Sequence, residues 1–324
     1  MILTNEQLRP CLSGAVEIAE QNGILIPYRF GRQIRETVYP AGNRFNPKMT
    51  QSAGVVCRFT TNSKALAFTY TVEAPGAEQS FDVWVNGVLL LNTPCLKTRD
   101  RIELALPYAE SRVEIYFPSH REGRIFDVTL DDGASFALPA APKWQILFKG
   151  DSITNGSSTR FTSLGSTHQV ARALDAHIIN QGIGGEEFNP AAVDEEIAID
   201  PDLVVLAFGT NDWSHAPSHT RMVANVNGHL AGLRDLYPDK KIVMLLPIWR
   251  ADYTATDRKV GSFEEARRVL CEAAERFHIT VVDAWGFVPH ILDVFADKRL
   301  HPNEFGFQFY AENLLPHLKA ILEA

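Results

Sequence analysis

From about Val55 to Leu130 apolar and polar residues alternate. Phe81, Val83 and Val85 alternate with Asp82, Trp84 and Asn86; Ile102, Leu104 and Leu106 with Glu103 and Ala105; Val113, Ile115 and Phe117 with Glu114 and Tyr116. Side chains point to opposite faces along a strand, so each run predicts a strand with one buried and one wetter face. Asn86-Gly87 stands between two such runs, the dipeptide favoured in a tight hairpin turn. Short strands at this spacing predict an antiparallel, jelly-roll-like β-sandwich over residues 1–138. In residues 1–50 the alternation is weaker. Asn5 is read as the cap of a short helix, and the remainder as feeding the sandwich.

The segment Asp132–Lys143, with Gly133, Pro139 and Pro142, reads as a linker. Beyond it the period changes. Short apolar strands at Ile146–Lys149, Ile178–Asn180, Leu203–Phe208, Ile242–Leu246 and Thr280–Val282 are separated by helical stretches at Leu164–Leu174, Met222–Tyr237 and Phe263–Phe277. A last helix runs from about Asn303 to Leu322. Strands alternating with helices predict a parallel five-stranded sheet covered on both faces, a three-layer α/β domain over residues 144–324. In such sheets ligands bind beyond the carboxyl ends of the strands, which selects the loops to search.

Composition narrows the picture without naming a function. The 324 residues carry 39 acidic and 31 basic side chains, a net charge of −8. Nothing in that balance suggests a nucleic-acid partner. The longest apolar runs fall far short of the ~20 residues of a membrane span, and the first twenty residues show no signal-peptide pattern. The expectation is a cytoplasmic protein with no membrane partner, with homo-oligomerisation open. Cys11, Cys57, Cys95 and Cys271 are widely spaced, form no CxxC pair and read as scattered buried thiols rather than a metal site or a disulfide framework.

The loops after the strands carry the candidate chemistry. After the first strand comes Gly150-Asp151-Ser152-Ile153-Thr154. A serine where a strand gives way to a helix can present its hydroxyl beside free backbone N–H groups; a serine there is also a common helix cap. After the second comes Asn180-Gln181-Gly182-Ile183-Gly184-Gly185-Glu186. Its glycines allow close backbone approach to a ligand, but dinucleotide binding needs a third glycine where Glu187 stands. After the third comes Gly209-Thr210-Asn211-Asp212. The Asn211 amide suits a developing oxyanion and equally an Asx-turn. Ahead of the closing helix comes Asp297-Lys298-Arg299-Leu300-His301-Pro302-Asn303, where His301 suits a general base held by a nearby carboxylate, or a plain surface turn.

GDSIT around Ser152, NQGIGG ending at Gly185, GTND holding Asn211 and LHPN holding His301 occur in order at successive strand ends. In these blocks the chain resembles the SGNH, or GDSL, hydrolase superfamily over residues 144–322. The G-x-S-x-G elbow of ordinary α/β-hydrolases is absent. The resemblance implies a flavodoxin-like sheet and a carboxylic ester hydrolase without cofactor or metal. Ser152 would be the nucleophile and His301 its base. The oxyanion hole would comprise the N–H groups of Ser152 and Gly185 and the Asn211 amide, with Asp151 shaping the turn. The family acid usually lies three residues before the histidine, where this chain has Lys298. Asp297, four before, is read as the acid, with a backbone carbonyl as the alternative orienter and Asp293 in a solvated turn.

A β-sandwich ahead of such a domain resembles two-domain bacterial carbohydrate acetylesterases. This implies an acetylesterase acting on a small ester or acetylated oligosaccharide. Trp213, Trp249 and Arg250 are read as substrate-binding residues at the catalytic edge, although packed loop anchors fit the tryptophans as well. The alternatives are a lipase- or thioesterase-type acylhydrolase of the same superfamily and a catalytically degenerate sugar-binding protein. Arg29, Arg32 and Arg35 read as a solvated basic face.

Overall fold

The computed structural model describes residues 1–197 and 199–324. The alternating runs fold into two antiparallel sheets. One is ordered Leu12–Ser13, Val56–Thr61, Ser111–Tyr116, Gly76–Val85, Val88–Cys95, with Phe136–Ala137 also pairing Val56–Thr61. The other places Ala65–Val72 between Gly123–Leu130 and Arg99–Ala105. The inward positions meet as predicted: Phe59, Phe68, Phe81, Val83, Val113, Ile115 and Phe117 share one buried core. Asn86 and Gly87 link their strands with φ of 51° and 81°, the left-handed pair that a tight hairpin matching strand twist requires.

The second half is a five-stranded parallel sheet. Its strands are β1 (Trp144–Gly150), β2 (Ala176–Gly182), β3 (Leu203–Ala207), β4 (Lys241–Leu246) and β5 (Thr280–Asp283), in the order β2-β1-β3-β4-β5. This is the flavodoxin-like order. The helices are α1 (Ser152–Asn155), α2 (Ser166–Leu174), α3 (Thr210–His215), α4 (His219–Leu236), α5 (Phe263–Arg276) and α6 (Glu304–Glu323). Strands β1 to β4 each feed two cores, and β5 feeds one through Val282. Ile146, Phe148, Leu203, Val205, Val243 and Leu245 pack with α2 and α6. Leu147, Val204, Leu206, Ile242, Met244 and Leu246 pack with α4 and α5. Burial on both faces explains why these strands read as continuous apolar runs; each such side chain contributes about 1.5–3 kcal/mol.

Several expectations for the first fifty residues do not hold. The short helix Asn5–Leu8 is capped by Thr4, not Asn5. The Thr4 hydroxyl accepts the Gln7 N–H, and the Gln7 side chain returns to the Thr4 N–H. Asn5 instead bonds the Gly23 carbonyl. The region also does not all join the sandwich. After the hairpin Glu17–Gln21 and Ile24–Tyr28, Phe30, Ile34, Tyr39 and Met49 form a small core with Ile183 and Ala192 of the α/β half. These apolar residues come from irregular backbone and follow no period, so the sequence pattern did not assign them a partner. The basic cluster is not a solvated face: Arg29 is fully buried and Arg35 nearly so, leaving only Arg32 exposed. Cys271, read as buried, is exposed; the other cysteines are buried and all four are free.

Candidate active site

The ends of β1, β2 and β3 and the loop before α6 converge. Ser152 is the first residue of α1. The Asp151 carboxylate caps that helix by accepting the Ile153 N–H at 2.9 Å, which turns the chain sharply at the end of β1. Asp151 thus shapes the turn, and burial raises its pKa to about 6 against the pull of the Ile153 N–H.

The Ser152 hydroxyl lies 2.8 Å from His301 Nε2, and His301 Nδ1 lies 2.7 Å from Asp297 Oδ2. The second Asp297 oxygen accepts the N–H groups of Arg299, Leu300 and His301 at 3.0, 2.8 and 3.1 Å. The inserted residue is absorbed by Lys298, which takes a left-handed φ of 53°. That turn folds Asp297 back on the imidazole, so the longer spacing still delivers a carboxylate. Partial burial works to raise the Asp297 pKa, but the Leu300 and His301 N–H groups and the imidazole outweigh it and leave the value at about 2. The carboxylate is therefore charged at neutral pH and can hold an imidazolium. Asp293 is exposed and pairs with Lys298.

The residues expected to supply the oxyanion donors line the same cavity as the imidazole. Gly184 faces the serine, since a Cβ built on it would sit 3.7 Å from the Ser152 Cβ, and Gly185 lines the same cavity. Gly185 takes φ of 83°, a conformation suited to glycine. Gly182 cannot carry a side chain, since a Cβ there would lie 2.4 Å from the Asn155 nitrogen. Among the described residues, the N–H groups of Ser152 and Gly185 have no protein acceptor. The Asn211 amide donates to the Glu186 carbonyl at 3.1 Å and lines the same cavity. Asp212 fixes this turn by accepting the Phe188 and Gly209 N–H groups at 2.9 and 3.0 Å. Burial raises its pKa to about 7.

The sandwich half supplies groups that sequence reading missed. Lys48 donates to the Gly184 carbonyl. His120 Nδ1 pairs with Asn155 at 3.1 Å, and both Lys48 and His120 line the cavity. Arg29 reaches across to the second glycine block. It donates to the carbonyls of Asn180 and Gly182 at 2.7 Å each and to those of Gln51 and Lys48 at 2.8 and 3.1 Å. Burial lowers its pKa to about 9. Tyr39 donates to the Glu186 carboxyl, whose pKa burial pushes up to about 8. The loop presenting Gly185 is thus clamped by the other half of the molecule. No local pattern encodes contacts this far apart along the chain. Arg29→Met is expected to cost on the order of 3 kcal/mol, because it strands buried carbonyls; chemical denaturation reads the loss, and a change under about 1 kcal/mol would remove the clamp.

The predicted substrate-binding residues are mostly structural. Trp213 is fully buried, donates to the Gly261 carbonyl at 3.0 Å and packs edge-on against Phe263. An aromatic followed by an amphipathic helix found a core rather than a ligand. Trp249 stacks on His290 and packs on Phe295, outside the cavity lining. Arg250 lines the cavity, but its guanidinium is buried and committed to Asp252, Thr210 and Ser214. Arg258 and Arg299 line the cavity without having been singled out.

The cavity holds about 460 Å³, room for a small acyl group and a ring-sized alcohol. A hydroxyl within reach of a carboxylate-held imidazole, beside free N–H donors, can perform acyl transfer.

Several solved structures share the whole architecture. A salicylyl-acyltransferase from a tetracycline biosynthetic pathway superposes with a TM-score of 0.84 at 22% identity, over 99% of this chain and 96% of that one. A protein assigned as a GDSL-like lipase from Bacteroides ovatus gives 0.82 at 19%, over 100% and 98%. A family two carbohydrate esterase from Cellvibrio japonicus gives 0.69 at 19%, over 97% and 96%. At these identities the likeness establishes the fold. No curated protein matches the chain. The model of the GDSL-like lipase/acylhydrolase family matches residues 148–309, half of the chain and all the strand-end blocks from Ser152 to His301. The chain therefore belongs to the GDSL-like lipase/acylhydrolase family.

Proposed function

We propose that the protein is a serine esterase that removes short acyl groups, acetyl foremost, from carbohydrate esters through an acyl-enzyme. The observation that carries this reading is the continuous chain from the Ser152 hydroxyl through His301 to Asp297, with both contacts under 3 Å. His301 Nε2 takes the hydroxyl proton as Ser152 Oγ attacks the ester carbonyl. The carbonyl oxygen becomes an anion facing the Ser152 and Gly185 N–H groups and the Asn211 amide. On collapse the alcohol leaves with the proton from His301. Water then attacks the acyl-serine by the same exchange, releasing the acid and restoring the hydroxyl.

Hydrolysis of p-nitrophenyl esters from acetate to octanoate tests the acyl preference. Acetate should be favoured, and faster turnover of the eight-carbon ester would replace this reading with a lipase-type one. Labelling of Ser152 by a fluorophosphonate probe separates an enzyme from a degenerate sugar-binding protein, since an inert serine favours the latter. Acetate release from acetylated xylo-, manno- and gluco-oligosaccharides then identifies the carbohydrate. Asn211→Ala is expected to lower kcat by about 10²–10³, the usual cost of one oxyanion donor; a loss under threefold in steady-state assays would remove Asn211 from that role.

A further inference from the structure

The cavity beside Ser152 has a charge opposite to that of the protein around it. The chain carries a net −8, yet Lys48, Arg250, Arg258 and Arg299 line the cavity, and no carboxylate does among the described residues. The three arginines share one acid. Asp252 is 2.7 Å from Arg250 Nε, 3.4 Å from Arg258 Nη2 and 3.6 Å from Arg299 Nη1. Asp257, 3.7 Å from Arg258, is 78% exposed, so solvent screens it. Asp297, 4.0 Å from Arg299, is already committed to His301.

The arginines differ in what they have left to give. Arg250 spends its donors on protein. The Arg299 guanidinium donates no hydrogen bond among the described residues. Arg258 Nε is buried without a partner. The Arg258 guanidinium lies over the Trp213 ring, 5.0 Å from its centroid, beside that of Arg250 at 4.7 Å. Planar cations with unspent donors suit a carboxylate, which they can grip through two hydrogen bonds at once.

Position decides which part of the substrate would carry that carboxylate. Arg299 precedes His301 by two residues, and its carbonyl accepts the Ala251 N–H at 2.9 Å, joining the two arginine loops. His301 returns its proton to the departing alcohol, so the alcohol portion lies on this side. Lys48 stands on the other side, where its ammonium donates to the Gly184 carbonyl beside the serine and not to the arginine loops. We propose that Arg258 and Arg299 bind a carboxylate on the alcohol portion of the ester, so that the preferred substrate is an acylated acid alcohol, a sugar acid or an aromatic hydroxy acid, rather than a neutral one. This inference rests on the esterase reading above.

Two matched pairs test it: 4-acetoxybenzoate against 4-acetoxybenzamide, and acetylated methyl glucuronoside against acetylated methyl glucoside. In at least one pair kcat/KM should favour the acid about tenfold at low salt, narrowing toward parity near 0.5 M salt as the charges are screened. The pair that shows the preference identifies the class of alcohol. Arg299→Gln or Arg258→Gln should lower the acid-to-neutral ratio at least threefold, mainly through KM. Arg299→Lys should recover only part of it, because an ammonium lacks the planar fork. Parity in both pairs, or a ratio that neither glutamine variant changes, overturns the inference while p-nitrophenyl acetate turnover leaves the esterase reading standing. If no ester is cleaved, that reading fails separately. Calorimetry then decides the inference: 4-hydroxybenzoate or glucuronate should bind more tightly than 4-hydroxybenzamide or glucose, and no preference overturns it.

Discussion

Replacing Ser152 with alanine is expected to lower kcat for acetyl-ester hydrolysis by about six decades, the scale measured when the nucleophile of a serine protease is removed. The reason is specific to the geometry. The Ser152 oxygen is the atom that His301 Nε2 touches, at 2.8 Å, in a cavity that Gly185 and Asn211, the proposed oxyanion donors, also line. Without that oxygen His301 has no nucleophile to activate, and only the donors remain to polarise the carbonyl. The substitution removes a single atom, so folding should be intact. Steady-state assays with p-nitrophenyl acetate, alongside a melting curve, check this. A folded variant that keeps a tenth of the activity would end the acyl-enzyme mechanism.

The second large effect is expected at Asp297. Asp297→Asn should lower kcat by about four decades, the loss seen when the equivalent change in a serine protease stabilises the wrong histidine tautomer. An asparagine can still accept the N–H groups that Asp297 Oδ1 takes from Arg299, Leu300 and His301. It cannot balance an imidazolium, and its amide can donate to Nδ1 where the carboxylate accepts. Loss under tenfold would make the site a serine–histidine dyad. The stability contribution has a definite pH sense. The folded pKa of about 2 lies below the ordinary aspartate value of 3.8, so the contribution is complete above about pH 4 and fades as pH falls toward 2. The melting temperatures of the wild type and Asp297→Asn should therefore converge in acid; a gap unchanged from pH 7 to pH 2 would contradict that linkage.

Much of the fold was legible because its periods are simple. Strands β1, β3 and β4 contribute to a core on each face, and the sandwich strands alternate around one core. The blocks around Ser152, Gly185, Asn211 and His301 were legible because each sits where a strand ends and its neighbours are committed to turning the chain. The reading of Asp297 needed one further fact, the left-handed Lys298, that spacing cannot supply. Trp213 and Trp249 were misread for one reason. Nearness to a catalytic strand end in sequence does not say whether a side chain turns toward the cavity or into the layer beneath it.

Local pattern by itself determined the two layered halves, the order of the strand-end blocks and the likeness to GDSL-like lipases and acylhydrolases, because each depends on residues within a few positions of one another. Only the tertiary structure decided that Arg29 and Lys48 hold the loop that carries Gly185, that Arg258 and Arg299 have donors to spare, and that a negatively charged chain surrounds a positive cavity. Those outcomes depend on groups brought together from across the chain, and burial, charge and unspent hydrogen bonds exist only once they meet.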